Sequence, residues 1–260
     1  MRSLSPLLPL CIVMLGAPVF AGEPAPSPAA EEVSNTACRV VTVPTSDGLN
    51  LAADHCPAKD GSPVVVLLHM IPPHNDRTNF PVSFRAMLVE AGIEVLNLDR
   101  RGGGDSQGDA KQAYTGPHGV KDVQAALDWL STHSKADLGR WGCVGASNGS
   151  TTCLDYAIHA LDSEGLRGPS GLVFMTGGKY TENQHTLSGS VVQNLPVLFT
   201  YNAGEAEWSE SQKKGAPQDI WRWISYQPGG HGTRVFESNP ESMKDVTRFL
   251  AGLLHQTSSP

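Results

Sequence analysis

The chain has 260 residues, 40% of them apolar, and a net charge of −7, enough for one domain with a sizeable core. No basic run exceeds a pair, which excludes nucleic acid as a partner, because phosphate binding needs clustered Lys and Arg. No clustered spacing of His, Cys, Asp and Glu suggests a metal, and no cofactor is expected.

The chain opens on Arg2, an apolar stretch from Leu4 to Phe20, and then Val19-Phe20-Ala21, which offers small residues where a signal peptidase reads. That order is the order of a secretory signal, so residues 1–21 read as a signal peptide. Its apolar part is too short and too rich in proline for a stable membrane span. Residues 22–35, rich in Pro, Ala and Glu without apolar periodicity, read as a linker. Residues 36–260 then form one domain, expected to be secreted or periplasmic. The four cysteines outside the signal, Cys38, Cys56, Cys143 and Cys153, suit an exported chain with disulfides.

The domain begins with two extended runs, 38–43 and 49–56, flanking Thr45-Ser46-Asp47-Gly48. Asp-Gly in the turn predicts an antiparallel hairpin. A turn centred near Asp47 sets Cys38 opposite Cys56, close enough to bridge. Cys143 and Cys153 either pair or stand as two small buried core residues, and the second is the expectation.

Next comes an unbroken apolar run, 63–68, ending at His69. Runs without alternation suit a strand buried on both faces. The pattern then alternates between helical spacing and such runs. Helices are expected over 82–91, 120–133, 151–161 and 243–254. Strands are expected over 93–98, 140–145, 171–175, 196–201 and 223–226. This alternation predicts an α/β fold: a doubly wound, mostly parallel sheet with helices on both faces, preceded by the hairpin. Active sites of such sheets sit at the carboxyl ends of the strands.

Gly-x-Ser-x-Gly occurs twice, at Gly104-Asp105-Ser106-Gln107-Gly108 and at Gly145-Ala146-Ser147-Asn148-Gly149. A nucleophile elbow needs a strand, a sharp turn and a helix. Ser147 has apolar residues before it and a helical stretch after it. Ser106 lies among glycines and polar residues, as in a turn-rich loop. Ser147 is therefore the expected nucleophile. A serine hydroxyl also needs a base near neutral pKa. Among nine histidines, His231 stands in Gly229-Gly230-His231-Gly232, after the last expected strand, where glycines let it reach over the sheet edge. His69 ends the first buried strand and is expected to hold the loop that follows. Glu205, just past the strand ending at Tyr201, is the expected orienting carboxylate, with Glu207 its rival and Glu182 more distant. The oxyanion formed on attack needs two backbone donors. Asn148 is one; Ile71, with Met70 as the alternative, is the other.

Leu67-Leu68-His69-Met70, the segment from Leu98 to Ser106, Gly145-Ala146-Ser147-Asn148-Gly149 and Gly230-His231-Gly232-Thr233 together resemble the α/β-hydrolase superfamily. The resemblance is greatest to small, lid-less bacterial members related to dienelactone hydrolases and simple carboxylesterases. It implies a triad of Ser147, His231 and an acid, and the order Ser147, Glu205, His231 is that superfamily's chain order. Two positions depart from the pattern: Met70 stands where Gly is usual after the histidine, and the acid is Glu where Asp is commoner. Cleavage of carboxylic esters through an acyl-enzyme on Ser147 is the expected function, with small or surface-presented acyl substrates at an open site. A thioesterase or peptidase would use the same machinery. A non-catalytic binding protein on this fold is the reading from another class.

Overall fold

The computed structural model describes residues 38–114, 117–181, 184–187, 191–217 and 219–256. The expected signal peptide, the linker and Glu182 lie outside the described residues. Eight strands form one sheet: β1 (Arg39–Pro44), β2 (Asn50–Cys56), β3 (Val64–Leu68), β4 (Glu94–Leu98), β5 (Trp141–Ala146), β6 (Gly171–Met175), β7 (Val197–Asn202) and β8 (Trp221–Tyr226). Their order across the sheet is β1-β2-β4-β3-β5-β6-β7-β8. Strands β3 to β8 are mutually parallel, while β2 pairs antiparallel with both β1 and β4.

The unbroken apolar runs are explained by burial on both faces. Side chains alternate across a strand. Val64, Val66, Leu68 and Cys143 pack into one core layer with α2 (His118–His133) and α3 (Asn148–Leu161). Val65, Leu67, Val144 and Ala146 pack into the other, under α1 (Val82–Glu90) and α6 (Glu241–Leu254). All five side chains of β3 are fully buried, each worth roughly 1.5–3 kcal/mol in apolar transfer. The doubly wound architecture expected from the alternation is therefore the one observed.

The hairpin pairs Arg39 with His55 and turns through Gly48, whose φ of 85° suits glycine. That register brings Cys38 beside Cys56, and the two are bridged with Cα atoms 4.1 Å apart. Cys143 and Cys153 correct the expectation of two free core thiols. They too are bridged, with Cα atoms 5.8 Å apart. The chain reverses between β5 and α3, and α3 packs back against β5, so two cysteines on different elements come face to face.

Smaller corrections concern boundaries. α3 starts directly after Ser147 rather than at 151, and β8 starts at Trp221 rather than 223. Two short helices, α4 (Glu207–Ser211) and α5 (Val235–Ser238), have no counterpart in the sequence reading. Buried ion pairs fix the loop after β4. Arg101 donates from Nε to Asp122 at 2.7 Å and from Nη1 to Asp47 at 3.0 Å, joining α2 to the hairpin turn. Arg101 and Asp122 are fully buried, and losing one partner of such a pair typically costs about 3–5 kcal/mol. Arg77 bonds Asp54, the buried Asp99 and the exposed Asp105.

Candidate active site

The strand-to-helix bend at Ser147 is sharp. The residue has φ 50° and ψ −121°, a conformation that L-residues seldom adopt and that persists only where surrounding structure holds it. Its N–H donates to the Met175 carbonyl of β6 at 2.7 Å, and its own carbonyl accepts from Ser150. The two glycines of the motif are required by close approach. A Cβ at Gly145 would lie 2.5 Å from the Gly149 backbone, and one at Gly149 only 2.3 Å from the Leu68 carbonyl. The helix therefore starts under the serine with β3 pressed against it.

His231 follows β8. Its Nε2 lies 2.6 Å from Ser147 Oγ, and its Nδ1 lies 3.1 and 3.2 Å from the two oxygens of Glu205. With Nδ1–H donating to the carboxylate, Nε2 is free to accept the Ser147 proton. Glu205 closes a short 3-10 turn after β7, whereas the rival Glu207 begins α4. Among the described residues, the carboxylate hydrogen-bonded to His231 is that of Glu205. Ser147 is buried, but the His231 and Glu205 side chains are 34% and 39% exposed.

Thr176, at the end of β6, went unnoticed in the sequence. It too has positive φ, 51°, and is buried. Its Oγ1 accepts from the N–H of Gly232, beside His231, at 2.9 Å. Its carbonyl accepts from the Tyr180 hydroxyl at 2.6 Å. The Tyr180 ring stands edge-on to His231, with centroids 6.4 Å apart. Burial pushes the Tyr180 phenol up to about 12, with the neighbouring Ser147 hydroxyl working the other way. No local pattern marks either residue; only their place after a central strand could have drawn attention to them.

On the opposite side of Ser147, His69 is fully buried. Its Nε2 accepts the Arg100 backbone N–H at 2.9 Å, so the proton sits on Nδ1, which donates to the Met70 carbonyl at 2.7 Å. Burial and the Arg100 charge hold its pKa down to about 3, so the ring stays neutral. A trans peptide is planar, so fixing the Met70 carbonyl fixes the Ile71 N–H in the opposite direction. Pro72 and Pro73 follow and carry no N–H. Asn148, first residue of α3, carries one of the N–H groups that a helix start leaves unpaired within the helix.

The remaining expectations are settled locally. Ser106 is a loop fastener: its hydroxyl donates to the Asp99 carbonyl and accepts from Ala52 N–H. His55 bonds Glu94, and His133 stacks on Trp129, both away from Ser147. Two clefts are lined by residues of the loops that follow β3, β6 and β8, though neither is lined by Ser147 or His231. One, of about 560 Å³, has Met70, His74, Asn75, Thr233 and Arg234 in its wall. The other, of about 370 Å³, runs between Lys179, Leu187 and Trp208. Among the described residues, no group of three or more metal-ligating side chains converges.

A mostly parallel sheet of this order, with a serine on a strand-to-helix bend, defines a member of the α/β-hydrolase superfamily. Within it, the chain belongs to the X-Pro dipeptidyl-peptidase (S15) family, whose model matches residues 47–223. Ser147 and Glu205 fall inside that match and His231 beyond it. No curated protein matches the sequence. Among solved structures, the fold is similar to an esterase of Pyrococcus furiosus, with TM-score 0.63 and 16% identity over 84% of this chain and 92% of that one. It is also similar to a serine hydrolase homologue from Coxiella burnetii, with TM-score 0.60 and 17% identity over 82% and 96%. A dienelactone hydrolase from Anabaena variabilis gives TM-score 0.60 and 14% identity over 84% and 96%. At these identities the likeness concerns the fold.

Proposed function

We propose that this hydrolase cleaves carboxylic esters through an acyl-enzyme on Ser147, with His231 as general base and Glu205 as the carboxylate that orients it. The observation that carries this reading is the 2.6 Å contact between His231 Nε2 and Ser147 Oγ, backed by Glu205 on Nδ1. Ser147 Oγ attacks the acyl carbon as its proton passes to Nε2. The oxyanion takes hydrogen bonds from the N–H groups of Asn148 and Ile71. His231 returns the proton to the leaving alcohol, and water repeats the sequence to free the acid. The half-exposed histidine and acid favour small or surface-presented esters.

Family membership favours a second reading on the same residues, a peptidase acting on X-Pro substrates. The proposed export through residues 1–21, ahead of a 22–35 linker and the 36–260 domain, draws support from the two disulfides. No helix among the described residues is long and apolar enough to cross a membrane.

A fluorophosphonate probe tests the central assignment. Wild-type protein is expected to label and Ser147→Ala not to. Equal labelling of the two, or none of either, refutes it. Side-by-side turnover of p-nitrophenyl esters and Xaa-Pro-p-nitroanilides separates the two readings. Faster anilide turnover would favour the peptidase.

A further inference from the structure

Arg100 is fully buried, yet among the described residues no carboxylate hydrogen-bonds to it. Its guanidinium reaches neutral oxygens instead. Nη2 donates to the Ala113 carbonyl at 2.6 Å, Thr152 Oγ1 at 2.7 Å and Asn148 Oδ1 at 2.9 Å. Nη1 faces the carbonyls of His69 at 3.3 Å and Met70 at 3.5 Å. The Arg100 backbone N–H holds His69 Nε2. Buried arginines ordinarily sit against a carboxylate, as the adjacent Arg101 does against Asp122. For Arg100, Asp122 and Asp155 act only through space, and burial brings its pKa down to about 10, which leaves it cationic at neutral pH.

The segments it joins are the two that carry the oxyanion donors. One is the turn after β3, where the Met70 carbonyl is backed by Arg100 and His69 and the Ile71 N–H points away from both. The other is the start of α3, where the Asn148 side chain is tied down directly after the nucleophile. Resting on the hydrolase reading above, we propose that Arg100 is a positioning residue of the oxyanion hole. It clamps the two donor-bearing segments to each other and sets behind them a positive charge that no carboxylate hydrogen-bonds. Preorganised donors in a dry site act without rearranging during the reaction, and a fixed cation behind them strengthens their hold on a developing anion. The side chain never touches substrate; it acts through two backbone segments.

The test compares Arg100→Met with Arg100→Lys, using p-nitrophenyl acetate, phenylboronic acid and amide hydrogen exchange. Phenylboronic acid forms an anionic tetrahedral adduct on a nucleophilic serine. Arg100→Met is expected to lower kcat per titrated active site by about 10- to 100-fold, with KM within about twofold. Affinity for the boronic acid should fall by the same factor. Arg100→Lys keeps the charge but not the fork and should fall between. Exchange at the amides of 69–75 and 147–152 should be at least about tenfold faster in Arg100→Met. If kcat per site and boronic acid affinity stay within about twofold while only the melting temperature drops, the residue is merely structural and the proposal fails. Unchanged exchange at both segments overturns it too. Should Arg100→Met not fold, Arg100→Lys decides: wild-type kcat and boronic acid affinity would overturn the inference. Failure of the hydrolase reading shows differently, as wild-type protein that fluorophosphonate does not label, and this inference falls with it.

Discussion

The two flanks of Ser147 are built on opposite principles. On the β3 and β4 side the supporting residues are buried: His69 and Arg100 are fully enclosed and Asn148 is 1% exposed, although Ile71, which they back, is 40% exposed. His69, Arg100 and Asn148 are each tied to at least one named partner, and the histidine is held neutral. On the β7 and β8 side, His231 and Glu205 stand about one third exposed on short turns, joined by contacts of 3.1–3.2 Å. Dry, preorganised donors matter most where charge develops. A half-solvated carboxylate works through geometry more than through field, because water and salt screen it. In the proposed mechanism, the buried flank would shape the transition state, and the open flank would manage protons and admit substrate.

Four measurements would break or sharpen that contrast. The largest effect is expected from His231→Ala, which should lower kcat by about 10³-fold or more and slow fluorophosphonate labelling in parallel. A loss below tenfold would remove His231 from the chemistry. Acid should next weaken the buried flank. His69 takes up no proton when folded until about pH 3, but does so near 6.5 when unfolded. Stability is therefore lost as pH falls through that window, by up to ~1.4 kcal/mol per unit. The charged groups around the ring are Asp76, Arg77 and Arg100. Urea melts at several pH values should show this slope in wild type and lack it in His69→Gln; identical slopes would contradict the assignment. Third, Cys143→Ala/Cys153→Ala should cost about 2–3 kcal/mol, as expected for closing so short a loop. An unchanged urea midpoint would show that the bridge adds nothing to the bend. The smallest effect belongs to the open flank. Glu205→Gln should lower kcat only about 10- to 100-fold, since the acid is screened, with Glu207→Gln within twofold. The reverse ranking would reassign the acid.

What could be read from the residue order divides along a similar line. The strands were plain because Val64–Leu68 and Gly171–Met175 are unbroken apolar runs, and only burial on both faces explains such runs. The bend at Ser147 was plain because Gly145 and Gly149 leave no room for a side chain. The juxtaposition of Ser147, His231 and Glu205 followed from their places after β5, β8 and β7. Charged residues gave no sign of their burial. Arg100, Arg101 and Asp122 look like surface residues in sequence, and nothing local says that the sheet edge folds over them. The Cys143–Cys153 bridge was not the favoured reading for a related reason: its partners lie on a strand and a helix, with no pairing register to bring them together. Thr176 and Tyr180 acquire meaning only through contacts with β7 and the His231 loop.

Thr176 has a consequence for how this chain tolerates mutation. A β-branched side chain in the left-handed region carries about 1–2 kcal/mol of backbone strain that glycine would not. Drift toward glycine would relax the main chain and delete the hydroxyl that moors Gly232, so folding ease and histidine register pull this codon in opposite directions.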